Sequence, residues 1–535
     1  MRGTRSLAPV GTLCGRACRQ APRRLMSLPG PLLLTVLLAI FGSSGCRAST
    51  LPGEFPGSGQ WAVRFRANDH GALRALRAVY AARNSPLWVV GGRPTPAALA
   101  LLRTLEQADA YGLEAQDYDA AGLMALAAGA LGTGTAVSTA TGDPTRNEMM
   151  DAQRWTTFDV NLSAAALKLL CDLHYGRIDP RAAGFDLGTP RADDLDLVRE
   201  LMMLAAAHDI SRLLAAIEPQ FLHYRLLEQA LPRYRLHATS EPAGAANVRK
   251  IDLTLERWRW LPTFQTPPVI VNIPEFRLFA FRTTADRAAD ILQMDVIVGR
   301  TFPRTRTPVF VADMKSVIFR PYWDVPRSIL LREELPKIRA NPAYLAAQHL
   351  EIVSGAGDSA RPLPPTPASL QALAGGAARL RQQPGPDNAL GLIKFDLPNQ
   401  YAVYLHSTPA QQLFLRPHRA FSHGCIRVSD PVALATYVLR DTPSDWTPTR
   451  IRAAMNGTQT RRVRLARPIR VIILYGTVLA KEDGEVLFFE DLYRQDRRLE
   501  RLLGLATVNA KPQLRQLTGS RALGAPRASH THQAE

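Results

Sequence analysis

Between residues 60 and 235 the apolar positions recur at the spacing of one helix face. Leu73, Leu76, Val79 and Tyr80 share such a face, and Ala98, Leu101, Leu102 and Leu105 share another. Leu201 to Leu227 continues the pattern, while Gly, Thr and Ala crowd 128–142 and predict a loop. The run Leu173-His174-Tyr175-Gly176-Arg177-Ile178-Asp179-Pro180 predicts a helix end, with Gly176 just past the helix and Pro180 blocking continuation. Small polar residues at 238–248 predict a linker, 238–250 with its flank, closing a helical domain over 55–237. From about residue 267 the period shortens to that of strands. Val269–Ile273 and Arg277–Arg282 flank a Pro-Glu turn and predict a hairpin; Ile291–Val298, Ser316–Phe319, Leu392–Phe395 and Tyr401–Leu405 follow, then Val463–Leu465, Val471–Tyr475 and Val486–Phe489. Many short strands with Pro and Gly punctuation predict a β-sandwich or barrel-like domain over 251–500. The strand pattern stops between Trp323 and about Asn388, or 323–390 with its edges. A helical part at Ile329–Leu350 and a Pro/Gly-rich part at 361–387 mark this stretch as an insertion, placed as a lid. The tail at 505–535 is polar and patternless and is expected to be disordered. The fold class is therefore multidomain α+β, helical first and β-rich second.

Composition narrows this picture. At 535 residues with 46% hydrophobic and 21% charged positions, the chain is long enough for several domains and has an ordinary globular balance. Lys plus Arg is 65 against 47 Asp plus Glu, a net charge of +18, which admits an anionic partner such as nucleic acid, a membrane or an acidic polymer. Only seven of those basic residues are Lys and Ala is abundant, a pattern that codon bias also produces, so charge alone names no partner.

The first 48 residues read as an export signal: Arg16, Arg19, Arg23 and Arg24, then the ten-residue apolar region Leu32–Phe41, then small residues up to Cys46. Ten residues are too few to span a bilayer. The long basic stretch leaves Met1 and Met26 both open as the start. Two processing routes are open as well. Cleavage before Cys46 gives a lipoprotein anchored to the membrane through a lipidated Cys46, although Ser43 stands where Leu is usual; cleavage after Ala48 gives a soluble protein. Either route sends the chain to the periplasm or cell envelope. Export removes nucleic acid as a partner, and no helix-turn-helix, zinc-finger or RNP pattern is present. Of five cysteines, three belong to the signal, leaving Cys171 and Cys425, enough for one disulfide. Cys171 lies in an apolar helical run as a small core residue.

Cys425 has a different setting. A thiol is a useful nucleophile as thiolate, and a nearby imidazole can hold it so. His406, His418 and His423 all lie close in sequence to Cys425. His423, Cys425 and Arg427 are spaced by two, so a continuous strand would place them on one face, where Arg427 could bind a carboxylate. Gly424 permits unusual backbone angles, and the amides around Cys425 could form an oxyanion hole. One cysteine and three histidines make a poor zinc set. Spacing alone does not choose the base among the histidines.

His406 followed, after fifteen residues, by Ser422-His423-Gly424-Cys425-Ile426-Arg427 resembles the signature of the L,D-transpeptidases, whose catalytic domain is the YkuD domain. Glu256-Arg257-Trp258-Arg259-Trp260-Leu261-Pro262, Thr307-Pro308-Val309-Phe310, Pro321-Tyr322-Trp323-Asp324-Val325-Pro326 and Val403 to Pro409 are similar to the large YcbB-like subgroup, and Leu173–Pro180 to its scaffold domain. The resemblance covers roughly residues 60–500. It implies Cys425 as nucleophile and His406, not His423, as base and later general acid. It implies that Ser422, His423, Gly424 and Arg427 shape the site, with the Gly424 and Cys425 amides near the oxyanion and Tyr404 and Trp323 in the pocket. The 323–388 insertion corresponds to a capping subdomain. The substrates implied are peptidoglycan stem peptides, a donor tetrapeptide that loses D-Ala and an acceptor stem that completes a 3→3 cross-link. Carbapenems are implied as covalent inhibitors, and neither a metal nor an organic cofactor is required. Water, a free D-amino acid or a wall-attached protein as partner would instead give a carboxypeptidase, an exchange enzyme or a hydrolase; a non-catalytic wall scaffold is the remaining alternative. One departure stands out: the peptidoglycan-binding module that many members carry between scaffold and catalytic domain has no room here. Trp258 and Trp260 are expected to pack at the domain junction, Arg461-Arg462 to be a solvated strand end, His418 to be a surface residue and His174 a helix-end residue.

Overall fold

The computed structural model describes residues 63–505, apart from 67–68, 70, 84, 132–143, 188–193, 239–241, 263–265, 284–290, 302–304 and 358. The export signal, Cys46, most of the 128–142 loop and nearly all of the tail lie outside the described residues.

The first half is built of α1 (Ala72–Ala81), a two-residue hairpin β1 (Val89–Val90) and β2 (Arg93–Pro94), α2 (Pro96–Glu106), α3 (Ala120–Leu131), α4 (Pro144–Tyr175), α5 (Leu197–Ala205), α6 (Ile210–Ile217), α7 (Leu222–Ala238) and α8 (Pro242–Arg259). The faces read from the periodicity are the buried ones: Leu76, Val79, Tyr80, Ala98, Leu101, Leu102 and Leu105 join one core with Cys171 of α4. α4 ends as expected, with Gly176 at φ 78° just past Tyr175. Among the described residues, four helices begin at a side-chain cap followed by Pro. Thr95, Thr366, Asp430 and Thr447 accept from the amides of Ala98, Ser369, Ala433 and Arg450, and the next residue's missing N–H costs nothing in a first turn. Among the described residues no helix is long and apolar enough to cross a membrane.

The linker expected at 238–250 is corrected. α7 runs to Ala238 and α8 starts at Pro242 and carries the chain into the β-rich part. Small residues at 242–246 tolerate a helix, and the burial of Ile251, Leu253, Leu255 and Trp258 stabilises it. Trp258 stacks on His223 and meets Phe221, and Trp260 meets Phe185 edge-on, so both indoles lie buried at the junction. The side chains of α7 and α8 join the core of the β-rich part, so the helical and β-rich halves share a core.

The second half contains β3 (Val269–Asn272), β4 (Arg277–Ala280), β5 (Leu292–Gly299), β6 (Phe310–Phe319) and β7 (Trp323–Asp324). It continues with α9 (Arg327–Ile329), α10 (Leu335–Ala340), α11 (Tyr344–Ala347), β8 (Leu350–Ser354), β9 (Arg361–Leu363), α12 (Pro367–Gly375), β10 (Arg379–Gln382), β11 (Ile393–Asp396) and β12 (Leu405–His406). β13 (Ala420–Ser422), β14 (Ile426–Val428), α13 (Pro431–Leu439), α14 (Pro448–Asn456), β15 (Arg461–Leu474), β16 (Val478–Ala480), β17 (Val486–Phe488) and α15 (Gln495–Leu502) complete it. The main sheet has nine strands in the order β13-β5-β14-β12-β11-β6-β15-β3-β4. β5 pairs with β4 through Leu292–Asp295 and with β14 through Val296 and Ile297, so the pairings return on themselves.

Three strand expectations change. The two strands at 463–465 and 471–475 are one strand, β15, whose pairing with β6 slips between Arg464 and Ile469. Pro468 lies in that slip and offers no amide to the ladder. β6 starts six residues before Ser316 because Asp313 is met across the strands by Arg470 at 2.7 Å. Of the expected 401–405 strand only Leu405 lies in a strand, β12, which it forms with His406 just beyond.

The insertion is not strand-free. It forms a four-stranded sheet, β7-β10-β8-β9, packed on α9 to α12 around Val325, Ile329, Leu330, Leu335, Ile338, Ile352, Leu373 and Leu380. β10 reads Arg379-Leu380-Arg381-Gln382, too polar to declare itself, yet Arg381 is held by Glu351 and by the Ala360 carbonyl at 3.3 Å. A π turn at Leu330–Glu334 interrupts the helical run between α9 and α10.

Candidate active site

Parallel pairing of β12 with β14 sets Leu405 opposite Ile426 and His406 opposite Arg427. The Ile426 amide donates to the Tyr404 carbonyl at 3.0 Å, which puts Tyr404 beside Cys425 one step earlier. Leu405 and Ile426 are fully buried in the core, so Tyr404, His406, Cys425 and Arg427 share the other face. His406 and Cys425 are diagonal neighbours there.

Cys425 is partly exposed and unpaired, and Cys171 is also a free thiol, deep in the helical core, so no disulfide joins them. The chain turns between β13 and β14 at Gly424, whose φ of 119° suits glycine. Both peptide units of the turn are fixed. Ser422 Oγ accepts from the Gly424 amide at 3.0 Å and donates to the Cys425 carbonyl at 2.6 Å. Thr307 Oγ1 donates to the Gly424 carbonyl at 2.8 Å and accepts from the Gly299 amide at 2.9 Å. Gly299 admits no side chain, because a Cβ would stand 2.0 Å from the Thr305 carbonyl. With Gly424's amide held by Ser422, the Cys425 amide is the one of the two without an acceptor among the described residues. Sequence reasoning did not single out Thr307 as part of this turn; it lay in a quoted motif but far from Cys425.

His423 departs from the one-face expectation. The bend at Gly424 breaks the strand, and His423 Nε2 meets Glu333 Oε1 of the insertion's π turn at 2.8 Å. His418 is exposed on the approach to β13 and meets Phe276 and Phe421 edge-on. His406 is the histidine brought to the thiol face. It is buried, and its Nδ1 donates to the Ser407 carbonyl at 2.6 Å. A carbonyl only accepts, so Nδ1 carries the ring proton and Nε2 keeps a lone pair. Burial, with the charges of Arg427 and Lys394 adding to it, lowers the His406 pKa to about 3 against the pull of the Ser407 and Leu390 carbonyls. The ring is neutral throughout the physiological range.

Burial raises the Cys425 thiol above its ordinary value, while hydrogen bonds from the Tyr404 backbone and hydroxyl and the charges of Lys394 and Arg427 oppose the rise. The resting pair is therefore neutral thiol and neutral imidazole. The thiol leans on the Ala402 carbonyl at 3.7 Å. Ala402 sits at φ 52° in a turn that the Asn399 side chain clamps through the Val403 carbonyl at 2.6 Å and the Tyr401 amide at 3.0 Å. Tyr404 is partly buried, with its hydroxyl pKa raised chiefly by desolvation and then by Cys425. It receives a hydrogen bond from Trp323 of the insertion and carries Lys394 over its ring at 4.1 Å. Trp323 and Glu333 thus bring the insertion to the site.

Against known proteins, residues 267–451 match the L,D-transpeptidase catalytic domain and residues 74–231 match the scaffold domain. A Haemophilus influenzae protein provisionally named an L,D-transpeptidase is 31% identical over 286 residues, 54% of this chain and 54% of its own length. The chain thus spans about half of that relative. Fold, motif and matches agree: the β-rich half is a YkuD-type L,D-transpeptidase catalytic domain. A scaffold-domain match followed by a catalytic-domain match is the YcbB-like arrangement.

Proposed function

We propose that this protein is a cell-envelope peptidoglycan transpeptidase that works through Cys425. The observation that carries the reading is the single face of β12 and β14, where a partly exposed thiol neighbours a neutral histidine whose Nδ1 donates to the Ser407 carbonyl. His406 takes the thiol proton as the sulfur bonds to the carbonyl carbon of the third stem residue. The oxygen becomes an oxyanion facing the Cys425 amide. The C–N bond to D-Ala breaks, His406 returns the proton to the departing amine, and a thioester remains. The side-chain amine of diaminopimelate on a second stem then attacks, loses its proton to His406 and displaces the sulfur, leaving a 3→3 cross-link and the thiol restored. Tyr404 and Trp323 line the donor side, and Ser422 and Gly424 hold the turn.

Incubating purified protein with disaccharide-tetrapeptide tests this by mass spectrometry. Cross-linked dimer and an acyl adduct on Cys425 are expected, and a carbapenem should leave its adduct on the same residue. A Cys425→Ala variant that still makes dimer would refute the mechanism. Tripeptide without dimer would identify water as the acceptor and the protein as an L,D-carboxypeptidase.

A further inference from the structure

The turn that carries Cys425 is braced from beyond the matched catalytic domain, which covers residues 267–451. Tyr493 is buried, and its hydroxyl donates to the Gly299 carbonyl at 2.7 Å and accepts from the Thr307 amide at 3.2 Å. Gly299 and Thr307 are the same two residues whose amide and hydroxyl lead to the Gly424 carbonyl. One phenol oxygen therefore holds both backbones that stand behind that carbonyl. The Gly424 carbonyl and the Cys425 amide belong to one planar peptide unit and point opposite ways. Whatever fixes the carbonyl oxygen also aims the Cys425 N–H.

Tyr493 is itself anchored. Its amide donates to Tyr475 Oη at 2.7 Å, its carbonyl accepts from Arg306 at 3.1 Å, and the Arg306 guanidinium lies 5.5 Å from its ring centre. Tyr475 Oη donates to Asp491 at 2.7 Å, and Asp491 accepts from the Gln495 and Asp496 amides at the start of α15. Arg257 of α8 reaches Asp496 at 2.6 Å. Burial pushes the Tyr493 hydroxyl up to about 12, so it keeps its proton and stays a donor at neutral pH.

We propose that Tyr493 is a positioning residue for acyl transfer: through Gly299 and Thr307 it holds the Gly424–Cys425 peptide plane so that the Cys425 amide meets the oxyanion. This rests on the acyl-transfer reading above. The phenol touches neither substrate nor sulfur. Burial, Tyr404, Lys394 and Arg427 set the proton affinity of the thiol. Losing the phenol oxygen should therefore slow a step that forms an oxyanion and spare a step that needs only the thiolate.

Two reagents on the full chain make that distinction. With a carbapenem the sulfur adds to the lactam carbonyl through an oxyanion, the ring C–N bond breaks, and the thiol proton passes through His406 to the nitrogen. With iodoacetamide the thiolate displaces iodide at a saturated carbon and no oxyanion forms. Tyr493→Phe keeps the ring under Arg306 and removes the oxygen. It should slow carbapenem acylation about tenfold or more while alkylation of Cys425 stays within about twofold. Thr307→Val should do the same, and Thr307→Ser, which keeps the hydroxyl, should restore acylation. With the tetrapeptide donor, kcat should fall in Tyr493→Phe at unchanged KM. Unchanged acylation in Tyr493→Phe, or an equal fall in acylation and alkylation, overturns the proposal.

Hydrogen exchange reads the brace without any acyl transfer. The Cys425 amide should exchange faster in Tyr493→Phe while β6 and β15 keep their protection. Unchanged exchange at Cys425 overturns the proposal, and so does loosening of the whole main sheet, which would assign Tyr493 to stability alone. If wild type forms no acyl adduct while exchange behaves as expected, the acyl-transfer reading fails and the bracing of the turn by Tyr493 stands.

Discussion

At the scale of single residues the site is unusual in being electrically quiet. His406 is held neutral, and Cys425 is held as a thiol, both by burial. An imidazolium–thiolate pair would react with alkylating reagents down to mildly acidic pH. Here the sign runs the other way: a raised thiol pKa keeps the proton on sulfur at neutral pH, and a histidine titrating near 3 adds no step between pH 5 and 7. The iodoacetamide rate at Cys425 should therefore climb through pH 8 and keep climbing past the ordinary thiol value of 9.0. A plateau reached by pH 7 would show the ion pair instead. In the proposed mechanism the proton moves only when substrate arrives, to the unprotonated Nε2 of His406. Cys425, His406, Gly424 and Ser422 were all legible as a motif. Thr307 was not legible as their partner, because its bond to the Gly424 carbonyl spans 117 positions of sequence.

Elements differ in how openly they declare themselves. The helices of the first half did so by apolar spacing, since periodicity is local. The insertion hid its sheet, because β7, β9 and β10 are two to four residues long and the Arg379 and Arg381 side chains of β10 are satisfied by distant carboxylates and carbonyls. That insertion has its own apolar cluster, separate from the core under the main sheet. Ile338 is fully buried in it. Ile338→Ala should cost about 2–4 kcal/mol within the insertion. Hydrogen exchange should then speed up in β8 and β10 while β6 and β15 keep their protection. Equal loosening of both sheets would mean the insertion has no independent core. The ion pair of His423 with Glu333 is half exposed and contributes little to holding it.

Over the whole molecule, the scaffold and the catalytic domain are joined by helix, not by linker. Glu256 of α8 is fully buried at this joint. It accepts from the Arg177 amide at 2.6 Å, the Ile178 amide at 3.0 Å and the Trp260 indole at 3.3 Å, with the Arg177 guanidinium also at 3.3 Å. Gly176 makes the contact feasible, since a Cβ there would come within 2.9 Å of Glu256 and 2.8 Å of Trp260. Glu256→Ala leaves Arg177 with one distant acceptor, the Gly112 carbonyl at 3.4 Å, and should cost about 3–5 kcal/mol in urea unfolding. A loss below about 1 kcal/mol would mean that apolar burial alone holds the joint. The Leu173–Pro180 segment and the Glu-Arg-Trp-Arg-Trp-Leu-Pro stretch, two separate motifs in sequence, are the two sides of this one contact.

The sequence by itself determined the order helical then β-rich, the faces of the helices, and the contiguous motif on which the proposed chemistry rests. Those features depend on neighbours within a few positions or on a contiguous motif. Tertiary structure decided which histidine reaches the thiol: the turn at Gly424 sends His423 to Glu333, while the parallel pairing of β12 and β14 delivers His406 across nineteen positions. It also decided that a stretch poor in apolar residues is helix, that a polar insertion is a sheet with its own core, and that Arg427 stands opposite His406. Each of these depends on what lies across a strand or across a core, and a one-dimensional pattern holds no record of that.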